Sequence, residues 1–378
     1  MDRFQAYVNA NRSRFLDELK SLCTHPSIAA QGVGLEETAD AVQARLEQLG
    51  AAVRRFTVDG SPPILYAELG QGERTMLVYN HYDVQPPDPL DEWETPPFEP
   101  AEREGRIFAR GVADDKGDLM CRLQAIEAYQ AAVGPLPLRL HLLIEGEEEV
   151  GSPHLETFAE EHRDLLQADG CLWETGEKDA ARRPVLTLGV KGICYVELSL
   201  QTADSDLHSM WGGVVPNAAW RLVWALNTLK DAGDRILVDG LMDRVRPPSP
   251  AEREHLASLP FDEEMVRSNF GIGGFVQDLE GVELLVKLFY EPTCTICGLR
   301  SGYIQEGSKT VLPSRATAKV DFRLVPDLTP DLVAELLRAH LAARGFGDIE
   351  VKGTHGAMPA RSSTDAPFVR SCIEAASE

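Results

Sequence analysis

A chain of 378 residues is too long for one ordinary hydrophobic core and fits two domains. Its 43% hydrophobic and 26% charged residues describe a soluble globular protein, and no uninterrupted apolar run is long enough to cross a bilayer. The formal net charge of −23, from 60 acidic against 37 basic residues, repels phosphate backbones and anionic lipid, which excludes nucleic acid and membrane as partners.

In chain order, Phe4, Val8, Phe15, Leu19 and Leu22 recur at helical spacing and predict a helix near 4–22. A second helix is expected from Glu36 to Leu49, stopped by Gly50. Then strands and helices alternate: Met76–Tyr79 is a short apolar run, Gly117–Tyr129 helical, Leu138–Ile144 apolar again and Cys171–Trp173 another short run. Such alternation with wholly apolar strands predicts an α/β domain, a mostly parallel sheet with helices on both faces. In such sheets chemistry gathers beyond the carboxyl ends of the strands.

After Lys191 the pattern changes. Strands are expected at Gly192–Leu200, Cys294–Leu299, Ala316–Leu324 and Ile349–Lys352, with helices at Asn217–Lys230 and Leu332–Ala343. That order predicts an inserted α+β domain of split β-α-β sandwich type, with a polar stretch of helices and loops from Asp231 to Tyr290. The seven cysteines have no disulfide-framework spacing, and the single C-x-x-C, Cys294 and Cys297, reads as strand thiols. Met1-Asp2-Arg3-Phe4 lacks the charged-then-apolar order of a signal peptide, so a cytoplasmic protein is expected.

Four polar segments follow the predicted strands. His81-Tyr82-Asp83 comes directly after the first, and Asp83 can orient or polarise His81. Asp114-Asp115-Lys116-Gly117 opens a helix, where acidic residues complement the free N–H groups and the dipole. Glu145-Gly146-Glu147-Glu148-Glu149 ends a buried strand, and its carboxylates repel one another unless water or cations neutralise them. Glu174 follows Leu172-Trp173. Alone, each segment is adequately read as a polar loop. Metal-assisted hydrolysis, in contrast, needs one carboxylate as ligand and a neighbour free to take a proton.

Taken in order, His81-x-Asp83-x-Gln85-Pro86, Arg110-Gly111-x-x-Asp114-Asp115-Lys116-Gly117, the Glu148-Glu149 pair before Gly151-Ser152, and the later Glu174 resemble the signature of the M20 metallopeptidases. Ala109 stands where the second motif usually begins with glycine. The resemblance implies two divalent metal ions, held by His81, Asp114 as the bridge, Glu149 and Glu174, with Glu148 as general base and a cis bond between Asp114 and Asp115. Nitrogen and oxygen donors suit zinc, and carboxylate-rich sites also take manganese or cobalt.

The inserted domain extends the likeness. Asp206-Leu207-His208-Ser209, Gly212-Gly213 and Pro216-Asn217 resemble a family segment whose histidine steadies the oxyanion across a dimer, although Met210 replaces a common glycine. Strict alternation over 316–324 turns Ala318, Val320, Phe322 and Leu324 one way and Arg323 the other. In the dipeptidases that arginine grips the substrate carboxylate through a bidentate fork, and Thr310 falls in a neighbouring site segment.

The resemblance implies a catalytic domain over 1–190, a lid and homodimerisation domain over 191–353, and a returning catalytic segment over 354–378. It implies hydrolysis of dipeptides or short peptides bearing a free C-terminal carboxylate. Deacylation of N-acyl amino acids uses the same machinery and is the second reading. A metal- or peptide-binding protein without catalysis is the third. Family members carry a further ligand histidine well after the lid, His355 falls too early for it, and a natural chain continuing past Glu378 is therefore expected.

Overall fold

The computed structural model describes residues 2–179 and 182–377, which divide into two compact units, Met1–Leu186 with Arg370–Glu378 and Thr187–Val369. In the first unit, α1 (Asp2–Cys23) and α2 (Leu35–Gln48) arise where the 3.6-residue apolar period predicts them. Leu35, Ala39, Val42 and Leu46 are the buried stripe of α2, and Gly50 ends the turn beyond it with φ 84°. There follow β1 (Ala52–Phe56), β2 (Ile64–Leu69), β3 (Thr75–His81), α3 (Lys116–Ala132), β4 (Arg139–Glu145), α4 (Leu155–Glu161) and β5 (Gly170–Leu172).

These strands form one sheet in the order β1-β2-β4-β3-β5. β3, β4 and β5 pair in parallel, whereas β1 with β2 and β2 with β4 are antiparallel. The sheet is therefore mixed, its parallel half being the part the apolar runs predict. Alternation fills both faces. Val78, Leu140, Leu142 and Ile144 meet α2 and α3 residues, while Leu77, Tyr79 and Leu143 meet Phe158 of α4 on the other side. Burial on both faces explains why β3 and β4 read as apolar runs without alternation. Their carboxyl ends coincide, because His81 stands opposite Glu145 in the parallel register.

The second unit runs β6 (Gly192–Gln201), α5 (Ala218–Leu226), α6 (Pro250–Ser258), α7 (Glu263–Phe270), α8 (Gly281–Tyr290), β7 (Thr295–Ser301), β8 (Arg315–Leu324), α9 (Pro330–Ala343) and β9 (Glu350–Ala357), before α10 (Pro367–Ser377). Its four longest strands form an antiparallel sheet in the order β7-β8-β6-β9, the split β-α-β arrangement expected from the element order. Val196, Leu198, Ala318, Val320 and Phe322 pack with Leu222 of α5 and Leu337 of α9 on one face. Asn217 caps α5 by accepting from the Trp220 N–H, and Thr329 caps α9 by accepting from the Leu332 N–H. Among the described residues, no helix is long and apolar enough to cross a membrane.

Candidate metal centre

The parallel half of the sheet delivers three polar side chains to one place. His81 is the last residue of β3, Glu148 lies on the turn after β4, and Glu174 lies two residues past β5. The turn after β4 can run close because Gly146 has no side chain; a Cβ there would lie 2.4 Å from the Tyr82 ring. One ligand atom from each of His81, Glu148 and Glu174 falls within 4.8 Å of the others. Asp114, just before α3, brings its Oδ1 to 3.0 Å from His81 Nε2. The Asp114–Asp115 peptide is cis.

Hydrogen bonds fix the imidazole. His81 Nδ1 lies 3.2 Å from Asp83 Oδ1 and 3.1 Å from the Asp83 carbonyl, so Nδ1 carries the donated proton. Nε2 then points at the carboxylates, where a cation would take the place of its proton. Asp83 is fully buried, and it also accepts the N–H groups of Glu148 and Glu149, each at 3.1 Å. One carboxylate thereby orients the histidine and holds the acidic turn. Asp115, also buried, accepts from Asn80 Nδ2 at 2.6 Å and from the His81 N–H at 3.1 Å.

The electrostatics call for a cation. Burial pushes the Glu174 carboxyl up to about 8, and burial likewise raises Glu148 above the ordinary carboxylate range. Burial pulls His81 down, yet its hydrogen bonds to Asp114 and Asp83 outweigh this and hold it up to about 11. Without a metal, then, the cluster retains protons that a divalent ion would replace. Glu174 Oε2 is buried with no hydrogen-bond partner among the described residues, an orphan that a ligand bond would satisfy. One imidazole nitrogen with several carboxylate oxygens is a donor set that fits a divalent metal.

A family profile described as peptidase family M20/M25/M40 matches residues 77–378. The chain belongs to this family. It is 30% identical over 363 residues to the mouse (Mus musculus) Beta-Ala-His dipeptidase, covering 91% of this chain and 74% of that protein. To the Cys-Gly metallodipeptidase of Schizosaccharomyces pombe it is 30% identical over 360 residues, covering 90% and 75%. Among solved structures it is similar to an M20 family metallo-carboxypeptidase from Sulfolobus solfataricus, with a TM-score of 0.84 and 39% identity over 96% of this chain and 82% of that one. It is thus an M20 metallopeptidase, a hydrolase with a metal centre.

Against the sequence expectations for an M20 centre, the structure brings His81, Asp114, Glu148 and Glu174 together and leaves Glu149 beside them. The Glu149 carboxylate accepts from Gln85 Nε2 at 2.8 Å, outside the three-residue cluster. His208, Thr310 and Arg323 belong to the second unit. There His208 Nδ1 accepts the Met210 N–H at 3.2 Å, which leaves Nε2 protonated and 3.1 Å from Thr310 Oγ1. Arg323 is half-exposed, on the sheet face opposite Phe322, with its Nε 3.4 Å from Asp321 Oδ2. Sequence reading overlooked Asn80, which donates to Asp115 and accepts from Arg122, and Arg122 itself, which donates to the Tyr79, Trp173 and Thr175 carbonyls. No sequence signal singles out Arg122, because α3 also carries Lys116, Asp118, Gln124, Glu127 and Gln130.

Proposed function

We propose that this M20 peptidase hydrolyses dipeptides or short peptides with a free C-terminal carboxylate, at a centre of two divalent metal ions, zinc by preference. The observation that carries the reading is the convergence of His81, Asp114, Glu148 and Glu174 at the end of the parallel strands. The related Beta-Ala-His and Cys-Gly dipeptidases support the substrate class. His81, Asp114 and Glu174 would hold one ion, with Asp114 shared to the other beside Glu149. Such ions polarise an amide carbonyl and make water a nucleophile near neutral pH.

The chain's own residues supply the rest. Glu148, raised above the usual carboxylate range by burial, takes a proton from the attacking water and returns it to the leaving amine. Asp83 keeps the His81 tautomer and the Glu148 backbone fixed during that exchange. In the second unit, His208 offers an Nε2–H that suits developing negative charge, with Thr310 bonded to it. Arg323 grips the substrate carboxylate. A second assignment of the acidic turn, with Glu148 as ligand and Glu149 as base, is favoured by Glu148 being the one within the cluster.

Arg323 tests the substrate class. Arg323→Ala is expected to lower kcat/KM on free dipeptides by about 2–5 kcal/mol, as for one partner of a desolvated charge pair, with metal content unchanged. Dipeptides amidated at the C-terminus should be poor substrates and show little further loss. Equal loss on both substrates would remove the carboxylate from the reading.

The second unit, as a lid, would also form a homodimer. Supporting this, α5 buries Ala218, Leu222, Ala225 and Leu226, yet also exposes Trp220, Val223 and Trp224. Exposed aromatic clusters of this kind are enriched at protein interfaces. Sedimentation should give a dimer that Trp220→Glu with Trp224→Glu converts to monomer; an unchanged dimer would move the interface elsewhere. A cytoplasmic location accords with the buried free thiols Cys23, Cys194 and Cys294.

A further inference from the structure

β5 is a three-residue edge strand whose ladder with β3 ends at the Val78–Leu172 pair. Glu174 lies beyond that pair, and Thr175 after it has a left-handed backbone with φ 64°, so no strand pairing fixes this turn. The buried Glu174 Oε2 faces His81 Nε2 at 3.5 Å yet has no hydrogen-bond partner among the described residues. That oxygen inherits its position from the backbone on either side.

The backbone on either side is held by α3. Arg122 Nη2 donates to the carbonyl of Trp173 and, at 3.4 Å, to that of Thr175. Through Nη1 the same guanidinium donates to the Tyr79 carbonyl at 2.7 Å and to Asn80 Oδ1 at 2.9 Å. One turn earlier on the helix, the Asp118 carboxylate lies against Gly176, where a Cβ would fall 3.6 Å from its Oδ1. Asn80 passes the connection on, donating at 2.6 Å to the Asp115 oxygen that also accepts the His81 N–H. The Tyr79 ring stacks on Trp173 with centroids 3.9 Å apart, which closes the same joint from the other side. A guanidinium can hold several acceptors at once because its donors lie in one rigid plane; an ammonium, a single point on a flexible stem, cannot.

We propose that Arg122 is a positioning residue for the metal centre, clamping the Trp173 and Thr175 carbonyls to the end of β3 so that Glu174 stands within reach of His81. The inference rests on the reading of Glu174 as a metal ligand. Arg122 touches neither metal nor substrate in it; it acts through the turn.

The test is a double-mutant cycle on zinc affinity, read by competition with a chromophoric chelator on the full chain, using Arg122→Met, Glu174→Gln and the two combined. Arg122→Met is expected to weaken the tighter zinc about 10- to 100-fold, the usual cost of losing a group that orients a ligand. In the Glu174→Gln background the same change should add less than about threefold, because the ligand that Arg122 positions is already gone. Arg122→Lys, which keeps the charge, should recover only part of the loss, and if Arg122→Met does not fold the cycle is run with Lys. The visible spectrum of the cobalt-loaded Arg122→Lys protein should differ from that of the unsubstituted chain. Zinc affinity unchanged by Arg122→Met or Arg122→Lys while Glu174→Gln weakens it would overturn the inference and leave the ligand reading standing. Additive losses would likewise overturn it, reducing Arg122 to a general structural role. Zinc affinity unchanged in Glu174→Gln would overturn both.

Discussion

Glu148→Gln is expected to abolish nearly all turnover, by about 10²–10⁴-fold in kcat, while the protein keeps its metal. The substitution is close to isosteric, and the turn does not depend on the carboxylate it replaces. That turn is held by the Glu148 and Glu149 N–H groups donating to Asp83, bonds that an amide side chain leaves intact. What disappears is the ability to accept a proton. Glu149→Gln should instead lower the metal content, with lost activity restored in part by excess metal. Two measurements separate the roles: metal per chain by elemental analysis, and kcat on a simple dipeptide at saturating metal. If Glu148→Gln sheds metal and Glu149→Gln keeps it without turning over, the roles are exchanged, as the nearness of Glu148 to His81 and Glu174 favours. An active Glu148→Gln with full metal would remove Glu148 from proton transfer altogether.

The legible part of this protein is the part where chemistry and chain direction coincide. His81, the Glu148 turn and Glu174 follow apolar runs, and a buried parallel strand must end in polar residues somewhere, so these ends are visible without coordinates. β1 is hidden for the opposite reason. β1 reads Ala-Val-Arg-Arg-Phe, with two charged residues in a row, and its arginines are accommodated by partners distant in sequence. Arg55 pairs with Glu36 and Asp40 of α2, and Arg54 lies over the Tyr66 ring at 4.9 Å. The missed strands are the antiparallel pair, which is why the expected sheet was more parallel than the observed one. Lys116 shows the same limit within a motif. A lysine at a helix start reads as solvated, yet it is fully buried and donates to the His25 carbonyl at 2.6 Å. Long polar side chains whose partners are main-chain carbonyls, such as Lys116 and Arg122, leave no pattern in sequence.

Asp114→Ala should remove stoichiometric metal and leave the fold unharmed, the largest binding effect expected at the centre. Asp114 is 61% exposed, so truncation opens no core; it takes one acceptor from the buried His81 Nε2, which Glu174 Oε2 also faces at 3.5 Å. The cost to stability is expected to be about 1 kcal/mol, that of one hydrogen bond. Its effect on metal should be far greater, because on the two-ion reading the shared carboxylate would serve both ions and offset their mutual repulsion. The loss in affinity should exceed the ~100-fold that removing an orienting group can cost. The neighbouring carboxylate provides the contrast. Asp115 is buried and accepts from Asn80 and the His81 N–H, so Asp115→Ala leaves two buried donors unpaired and should cost about 1–3 kcal/mol of stability. Thermal melts of the metal-free variants would show Asp114→Ala close to the unsubstituted chain and Asp115→Ala well below it. Elemental analysis would then show the metal lost from Asp114→Ala despite its intact fold. Undiminished metal in Asp114→Ala would mean that the bridge is another residue, and a melt as low as that of Asp115→Ala would mean that its metal loss reports unfolding rather than a missing ligand.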